Sequence, residues 1–457
     1  MIDNLDKSDK DARGFVISAT TSRGGKTTIA SSLMRAFSNT GLDVQGAKVG
    51  PDYIDPQFHL LATGKPSYNL DPFLSGGAVG VKRTSRRLLS SDILVVEGVM
   101  GLFDGTYLPP PSELQDRSLD SLNYGSTAHV AATTGLPIVL IVDATSTSMS
   151  LAAAIEGFAS HSDLIDIKGV IVNKVGSKNH GMIIERALSH LPIKLLGLVP
   201  RSEDIALPSR YLGLIQPTEF IERSSEILEK TSGLIASYID MSSLKGLAAP
   251  IRKVPPTHTT DELRFLSNSK SPLVSVAQGA GFTFSYQENL DILHEQGAQV
   301  KFFDPNHESF DTRSTHLILG GGYPELHIGQ ITKNKTLLRQ IKEFAMDGGT
   351  IWAECGGHML LGKAIEEIDA VGLLPHTSHM STSLHLGYRR VTAKTPNPLF
   401  DCAQVIPAHE YHYSTTKDDA TDLFYEGFNL VGSTGVSSPT LLSSYMHFHL
   451  GGLIGQP

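Results

Sequence analysis

Two stretches of this 457-residue chain carry residues whose types and spacing can do chemistry. The first is Ala19-Thr20-Thr21-Ser22-Arg23-Gly24-Gly25-Lys26-Thr27-Thr28, which follows the apolar run Gly14–Ala19 and opens a helix-like stretch. Gly-Lys-Thr-Thr at a strand-to-helix turn is the latter half of a phosphate loop. Backbone amides and the helix N-terminus cradle phosphate, the lysine reaches the β and γ oxygens, and the threonine ligates Mg²⁺. Ser22, Gly24, Gly25, Lys26, Thr27 and Thr28 are therefore the expected nucleotide-binding residues, although Thr20 stands where the pattern's first glycine usually is. Such a loop needs carboxylates near its metal. Asp52 and Asp55, either side of Tyr53 in the Gly- and Pro-punctuated run Lys48–Pro56, are candidates, as are Glu97 at a strand end and Asp104 beyond it. We expect Thr27, Glu97 and Asp52 to hold Mg²⁺, because a carboxylate at the carboxyl end of a strand faces the crevice where α/β sheets bind ligands. Asn173 either reads a base edge or shapes its turn, and Arg201 either meets phosphate or sits on the surface.

The second stretch is Thr350-Ile351-Trp352-Ala353-Glu354-Cys355-Gly356-Gly357-His358. A cysteine where a strand turns sharply into a helix has an exposed sulfur at a helix N-terminus, which favours thiolate. The amide of Gly356 can donate to an oxyanion, and Gly320-Gly321-Gly322, after another apolar run, can supply the second donor through Gly322. A base is available in Tyr445-Met446-His447-Phe448-His449. Cys402 lacks any such setting and reads as a buried small hydrophobe. His409-Glu410-Tyr411-His412-Tyr413 has two histidines three apart, but no accompanying CxxC or HExxH, so we expect no metal there.

The elements that position these residues are runs rich in Val, Ile and Leu that alternate with helical stretches. Gly14–Ala19, Val44–Val49, Asp92–Glu97, Pro137–Asp143, Lys168–Asn173 and Leu195–Pro200 form one series. Leu273–Ala277, Gln299–Phe303, His316–Leu319, Thr350–Ala353 and Leu441–Phe448 form a second. Runs apolar on both faces suit central strands of parallel sheets, so we expect two doubly wound α/β domains. The expected division is a frayed tail over residues 1–13, an ATP-binding domain over 14–235, a connection over 236–271 and a Cys-site domain over 272–457. Lys and Arg number 38 against 47 Asp and Glu, a net charge of −9, which argues against nucleic-acid or anionic-membrane partners. Two cysteines, no signal-like N-terminus and no long apolar run point to the cytoplasm.

A nucleotide site and a Cys amidohydrolase-like site in one chain suggest a glutamine-dependent amide ligase. Lys48–Pro56, Asn69–Pro72, Glu97–Gly105, Gly125–Ala128, Gly320–Leu326, Ala353–Gly357 and His409–Ser414 together resemble the blocks of the cobyrinic acid a,c-diamide synthase family, in the family's order. The resemblance implies a dethiobiotin-synthetase-like ATP domain followed by a class I glutamine amidotransferase-like domain. It also implies MgATP-dependent amidation of the c and then the a acetate carboxylate of a cobyrinate-type corrin, through acyl phosphates, with glutamine as nitrogen donor. By that pattern Asp52, Tyr53, Asp55 and Asp104 belong to the synthetase site, Cys355 is the nucleophile and His447 rather than His449 its base. Hydrogenobyrinate and nickel sirohydrochlorin are alternative macrocycles, and a homodimer is compatible with the pattern. Arg23 replaces a glycine that the family carries, Ser209–Leu214 and Gln278–Phe282 depart from its blocks, and His449 stands where many class I glutaminases have the orienting Glu. Arg23 and Gln278 also motivate a rival reading, a degenerate regulatory ATP-binding protein.

Overall fold

The structure, a computed structural model, describes residues 12–108, 117–202, 221–252, 262–402 and 404–454. The chain divides into two compact units, Met1–Pro72 with Gly77–Thr257, and Phe73–Gly76 with His258–Pro457. In the first, β1 (Arg13–Ala19), β2 (Val44–Val49), β3 (Tyr68–Leu70), β4 (Ile93–Glu97), β5 (Ile138–Asp143), β6 (Ile167–Val175) and β7 (Lys194–Pro200) form a parallel sheet in the order β3-β2-β4-β1-β5-β6-β7. Alternation along each strand sends Val16, Leu94, Val96 and Leu140 into one apolar layer and Phe15, Ile17, Val95 and Ile141 into the other. Helix α1 (Lys26–Asn39) covers the second layer with Ile29, Leu33, Met34 and Phe37. Because β1 lies between β4 and β5, its carboxyl end opens at the crevice where such sheets bind ligands.

The stretch expected as a connection is partly built into this unit. Met241–Leu247 is a helix, and β8 (Ala249–Pro250) pairs antiparallel with β1. Ile239, Leu244 and Ala248 are buried in the same layer as α1, each large side chain worth about 1.5–3 kcal/mol of burial. The expected tail also ends earlier, since Arg13 already pairs with Ile93 and its guanidinium donates to Ala248 O. Residues 1–11, the remainder of that tail, lie outside the described residues, as do 253–261 of the connection and the block Ser209–Leu214.

The second unit contains two sheets. β9 (Leu273–Ala277), β10 (Gln299–Phe303), β11 (His316–Leu319), β12 (Thr350–Glu354) and β20 (Leu441–Ser444) run parallel in the order β10-β9-β11-β12-β20, with β19 (Val436–Ser438) antiparallel at one edge. The other sheet was not expected. It joins β13 (Ala364–Ile365), β14 (Ile368–Asp369), β15 (Thr377–Ala393), β16 (Ile406–Lys417), β17 (Leu423–Gly427), β18 (Leu430–Thr434) and β21 (Met446–Phe448). The run Leu441–Phe448 is therefore two strands in different sheets, and Tyr445 is where the chain crosses over. The fold class is α/β with parallel sheets in both units. Among the described residues no helix is long and apolar enough to cross a membrane.

Candidate active sites

In the first unit the turn from β1 to α1 is shaped by Gly25 at φ 94° and Arg23 at φ 62°. A Cβ on Gly25 would lie 2.4 Å from Asn173 Nδ2, so that position requires glycine for both backbone and space. Asn173 donates through Nδ2 to Gly24 O at 2.9 Å. It braces the phosphate loop from β6, two strands away from β1 in the sheet. Arg23 holds a left-handed backbone that costs a non-glycine residue about 1 kcal/mol or more. Its side chain is exposed, as is Ser22, so it does not fill the cradle. Lys26 donates to Met100 O at 2.5 Å and Thr21 O at 3.4 Å, and burial, then the charge of Lys48, pushes its pKa down to about 8.

Around Thr27 the sheet edge gathers charge. Its hydroxyl donates to Glu97 Oε1 at 2.7 Å and reaches Asp55 Oδ1 at 3.2 Å. Asp55 opens helix α2 (Asp55–Thr63), and Glu97 closes β4. Between these carboxylates sits Lys48 of β2, with Nζ 2.7 Å from Asp55 Oδ2 and 3.1 Å from Glu97 Oε1. His59 Nε2 lies 2.8 Å from the other oxygen of Glu97. Burial works against the charge of Glu97, but Lys48, His59 and Thr27 outweigh it and hold the carboxyl well below its usual range. Asp55 shifts the other way, pushed well up by burial, Asp52 and Glu97. Lys48 stays charged because Asp55, Glu97 and Asp52 overcome its burial.

Asp52 takes a different place from the one expected. Its Oδ1 accepts from the amides of Ile54 (2.7 Å) and Asp55 (3.0 Å), capping the entry to α2, while Asp55 meets Thr27 and Glu97. The reason is the turn: an Asp three residues before the helix start captures the amides left open there. Tyr53 is buried beside it. Asp104 accepts from the Gly101 amide at 2.8 Å, which folds the loop that presents Met100 O to Lys26.

In the second unit β12 ends at Glu354, and the helix Gly356–Leu361 begins after an elbow at Cys355, φ 47° and ψ −103°. This strained backbone is fixed by Cys355 N donating to Ser444 O at 2.8 Å and Gly357 N to Gly320 O at 2.9 Å. A Cβ on Gly356 would stand 3.2 Å from Gly322 N, so the two expected oxyanion donors are neighbours. His447 on β21 is fully buried, and a Cβ on Gly321 would come within 2.5 Å of its Cε1. The His447 Nδ1 lies 3.3 Å from Glu354 Oε2. Glu354 is itself held by Trp352 Nε1 and the Phe448 amide, both 2.8 Å from Oε1. Burial opposes the imidazolium, but hydrogen bonds to Cys355 and Glu354 raise the His447 pKa to about 9. His449 is elsewhere: its Nε2 is 3.6 Å from Glu288, and its ring contacts Tyr286. Burial drives Glu325, at the start of the helix Pro324–Ile331, up to about 7.

A family model described as the CobQ/CobB/MinD/ParA nucleotide binding domain matches residues 15–214, and one described as the CobB/CobQ-like glutamine amidotransferase domain matches 274–452. The cobyrinate a,c-diamide synthase of Clostridium acetobutylicum is 37% identical over 450 residues, covering 96% of this chain and 98% of that one. The hydrogenobyrinate a,c-diamide synthase of Mycobacterium tuberculosis is 35% identical over 398 residues, covering 87% and 85%. That of Brucella suis is 34% identical over 451 residues, covering 95% and 98%. The chain belongs to the a,c-diamide synthase family. Its two halves are a nucleotide-binding domain that uses ATP and a glutamine amidotransferase domain.

Several residues of this family member were not anticipated from sequence. Lys48 and His59 complete the charge cluster, and Glu354 supplies the carboxylate missing at position 449. A signal existed in each strand: Lys48 is the lone charge in VQGAKV and Glu354 the lone charge in TIWAE, both buried. In the HEYHY block, Glu410 is taken by Arg389 at 2.6 Å and His412 at 2.9 Å. His412 Nδ1 is 2.7 Å from Ser414 O. These groups satisfy one another.

Proposed function

We propose that this chain is an ATP-dependent ligase of cobalamin biosynthesis that hydrolyses glutamine and amidates the c and a acetate carboxylates of a cobyrinate-type corrin. The observation that carries the reading is that both reactive constellations are assembled from their own chain: Lys26, Thr27, Asp55 and Glu97 at one sheet edge, and Cys355, His447 and Glu354 at another.

On the glutaminase side, Cys355 attacks the side-chain amide carbon of glutamine, and the amides of Gly356 and Gly322 receive the oxyanion. The His447 imidazolium donates its proton to the departing nitrogen, and Glu354 keeps the ring oriented and charged. Water then cleaves the thioester, returning Cys355 and releasing glutamate. On the synthetase side a carboxylate is a poor electrophile. Transfer of the γ-phosphoryl group of ATP to it gives an acyl phosphate, which ammonia attacks with loss of phosphate. The amides of Ser22, Gly24 and Gly25 and the start of α1 bind the phosphates, with Thr27 and Thr28 at the first turn. Lys26 exchanges its carbonyl partners for phosphate oxygens. Asn173 holds the loop in shape. Lys48 keeps Asp55 and Glu97 in place, and the Asp52–Tyr53–Asp55 loop and Asp104 border the corrin side.

Mg²⁺ fits this donor set: three hard oxygens, from Thr27, Asp55 and Glu97, converge, and the raised pKa of Asp55 marks a position where a further cation is favourable. When bound there it would screen the phosphate charge. The reading implies the cytoplasm, where Cys355 stays reduced and so does Cys402, which is exposed and not the buried hydrophobe its setting suggested.

The relatives' names divide between cobyrinate and hydrogenobyrinate, so the macrocycle is the point to test. Cobyrinate, hydrogenobyrinate and nickel sirohydrochlorin are each incubated with MgATP and glutamine and followed by mass spectrometry. We expect two carboxyl-to-amide exchanges on cobyrinate. Exchange on one of the other two alone would reassign the substrate, and none on any, despite bound ATP, would leave the regulatory reading standing.

A further inference from the structure

We propose that His358, His376 and Asp419 form a binding site for a divalent transition metal of the zinc class, separate from both reactive sites. His358 lies on the helix Gly356–Leu361, His376 immediately precedes β15, and Asp419 sits in the connector from β16 to β17. Asp419 Oδ1 is 3.5 Å from His358 Nε2 and 3.8 Å from His376 Nδ1, and all three atoms lie within 4.8 Å of one another. Tetrahedral zinc with bonds of roughly 2.0–2.1 Å places its ligand atoms about 3.3 Å apart, so small shifts bring these three onto one ion.

The hydrogen bonding points the same way. His358 Nε2, His376 Nδ1 and Asp419 Oδ1 are buried and have no hydrogen-bond partner among the described residues. The remaining polar atoms are all held. His358 Nδ1 is 2.8 Å from Ser443 Oγ, His376 Nε2 is 3.0 Å from His358 O, and Asp419 Oδ2 accepts from Thr434 Oγ1 (2.8 Å) and Gly435 N (3.0 Å). A carbonyl only accepts, so His376 Nε2 carries the proton, and in the neutral ring Nδ1 presents a lone pair to a carboxylate. Two acceptors turned toward each other in a buried place are unfavourable unless a cation lies between them. Partners that orient each ligand through its far atom are the usual outer shell of a metal site. The His385–Glu410–His412 cluster differs, since Arg389 and Ser414 O already occupy its groups.

Such an ion would tie the helix that starts at Cys355 to the beginning of β15 and to the β16–β17 connector. It therefore acts on stability and on the positioning of the nucleophile, not as a reactant.

The test uses the full chain, stripped with a chelator and reloaded with Zn²⁺ in excess Mg²⁺, desalted and assayed for zinc by mass spectrometry. Wild type and Cys355→Ala should retain about one zinc per chain, while His376→Gln and Asp419→Asn should retain under about a tenth of that. Zinc should raise the melting temperature of the wild type and not of those two variants. Co²⁺ on the wild type, which needs no variant to fold, should give tetrahedral visible absorption without a thiolate charge-transfer band. The proposal is overturned if wild type retains no zinc, if His376→Gln and Asp419→Asn retain as much as wild type, or if Cys355→Ala alone loses it.

Discussion

The two reactive sites solve opposite electrostatic problems. At the phosphate loop, Lys26 and Lys48 face Asp52, Asp55 and Glu97: the acids hold Lys48 charged, while Lys48 works against the charge of Lys26, and Asp52 and Glu97 work against that of Asp55. At Cys355 the machinery is one histidine, one carboxylate and backbone amides, set by a strained elbow and close glycine contacts. The first site must admit a highly charged polyphosphate and rearrange around it, so its lysines begin on carbonyls and carboxylates. The second must attack a neutral amide and needs geometry fixed beforehand. Mutations should therefore act differently: at the charge cluster by removing a pole, at the elbow by misplacing a proton.

Lys26→Ala breaks the comparison on the synthetase side and should have the largest effect. Amidation with either glutamine or ammonium as nitrogen source should fall on the order of 10³-fold, while alkylation of Cys355 by a glutamine-analogue electrophile proceeds at the wild-type rate. Equal loss of alkylation would show that the residue acts through folding.

Glu354→Gln sharpens the other side. Glutamine-dependent amidation should drop on the order of 10²-fold with ammonium-dependent amidation unchanged. The pH profile carries the diagnostic. A raised His447 pKa means that the imidazolium persists through neutral pH and is lost as pH rises through about 9, so wild-type glutamine hydrolysis should decline there. Removing the Glu354 charge should move that alkaline decline to lower pH. A profile that does not move would separate Glu354 from the histidine.

The smallest expected effect is a proton count. Lys26 is held down near 8 by burial and Lys48, and phosphate oxygens would draw it back toward its ordinary value. MgATP binding near pH 8.5–9 should therefore take up a fraction of a proton, seen as a binding enthalpy that varies with buffer ionisation, and the dependence should vanish near pH 7. No dependence at either pH would mean that Lys26 does not meet the phosphates.

How much of this was legible beforehand follows the same division. The central parallel strands read clearly because both of their faces are apolar; β2, β9, β10 and β11 begin and end where the runs place them, although β10 is a largely exposed edge strand. The antiparallel sheet did not read, because β15 and β16 alternate Ser, Thr, His and Tyr with few apolar residues and leave one side partly solvated. Cys355 and Lys26 stand in short motifs with a mechanical reason for each residue. Their supports do not. Lys48 and Glu354 come from β2 and β12 and act on partners 49 and 93 positions away, and no local spacing encodes such a pairing. Asp52 shows the converse: a carboxylate picked out by its loop as a metal ligand also serves the turn, where its Oδ1 caps the entry to α2.

The most direct test of the two-site account is a nitrogen-source experiment with Cys355→Ala. Wild type and variant are given MgATP, the corrin and either glutamine labelled with ¹⁵N at the amide or ¹⁵N-ammonium, and label in the product is read by mass spectrometry. The account predicts label from both sources with wild type, and from ammonium alone with the variant, at a rate close to wild type on ammonium. Label from glutamine in the variant, or loss of incorporation from both sources in a folded variant that still binds ATP, would contradict it.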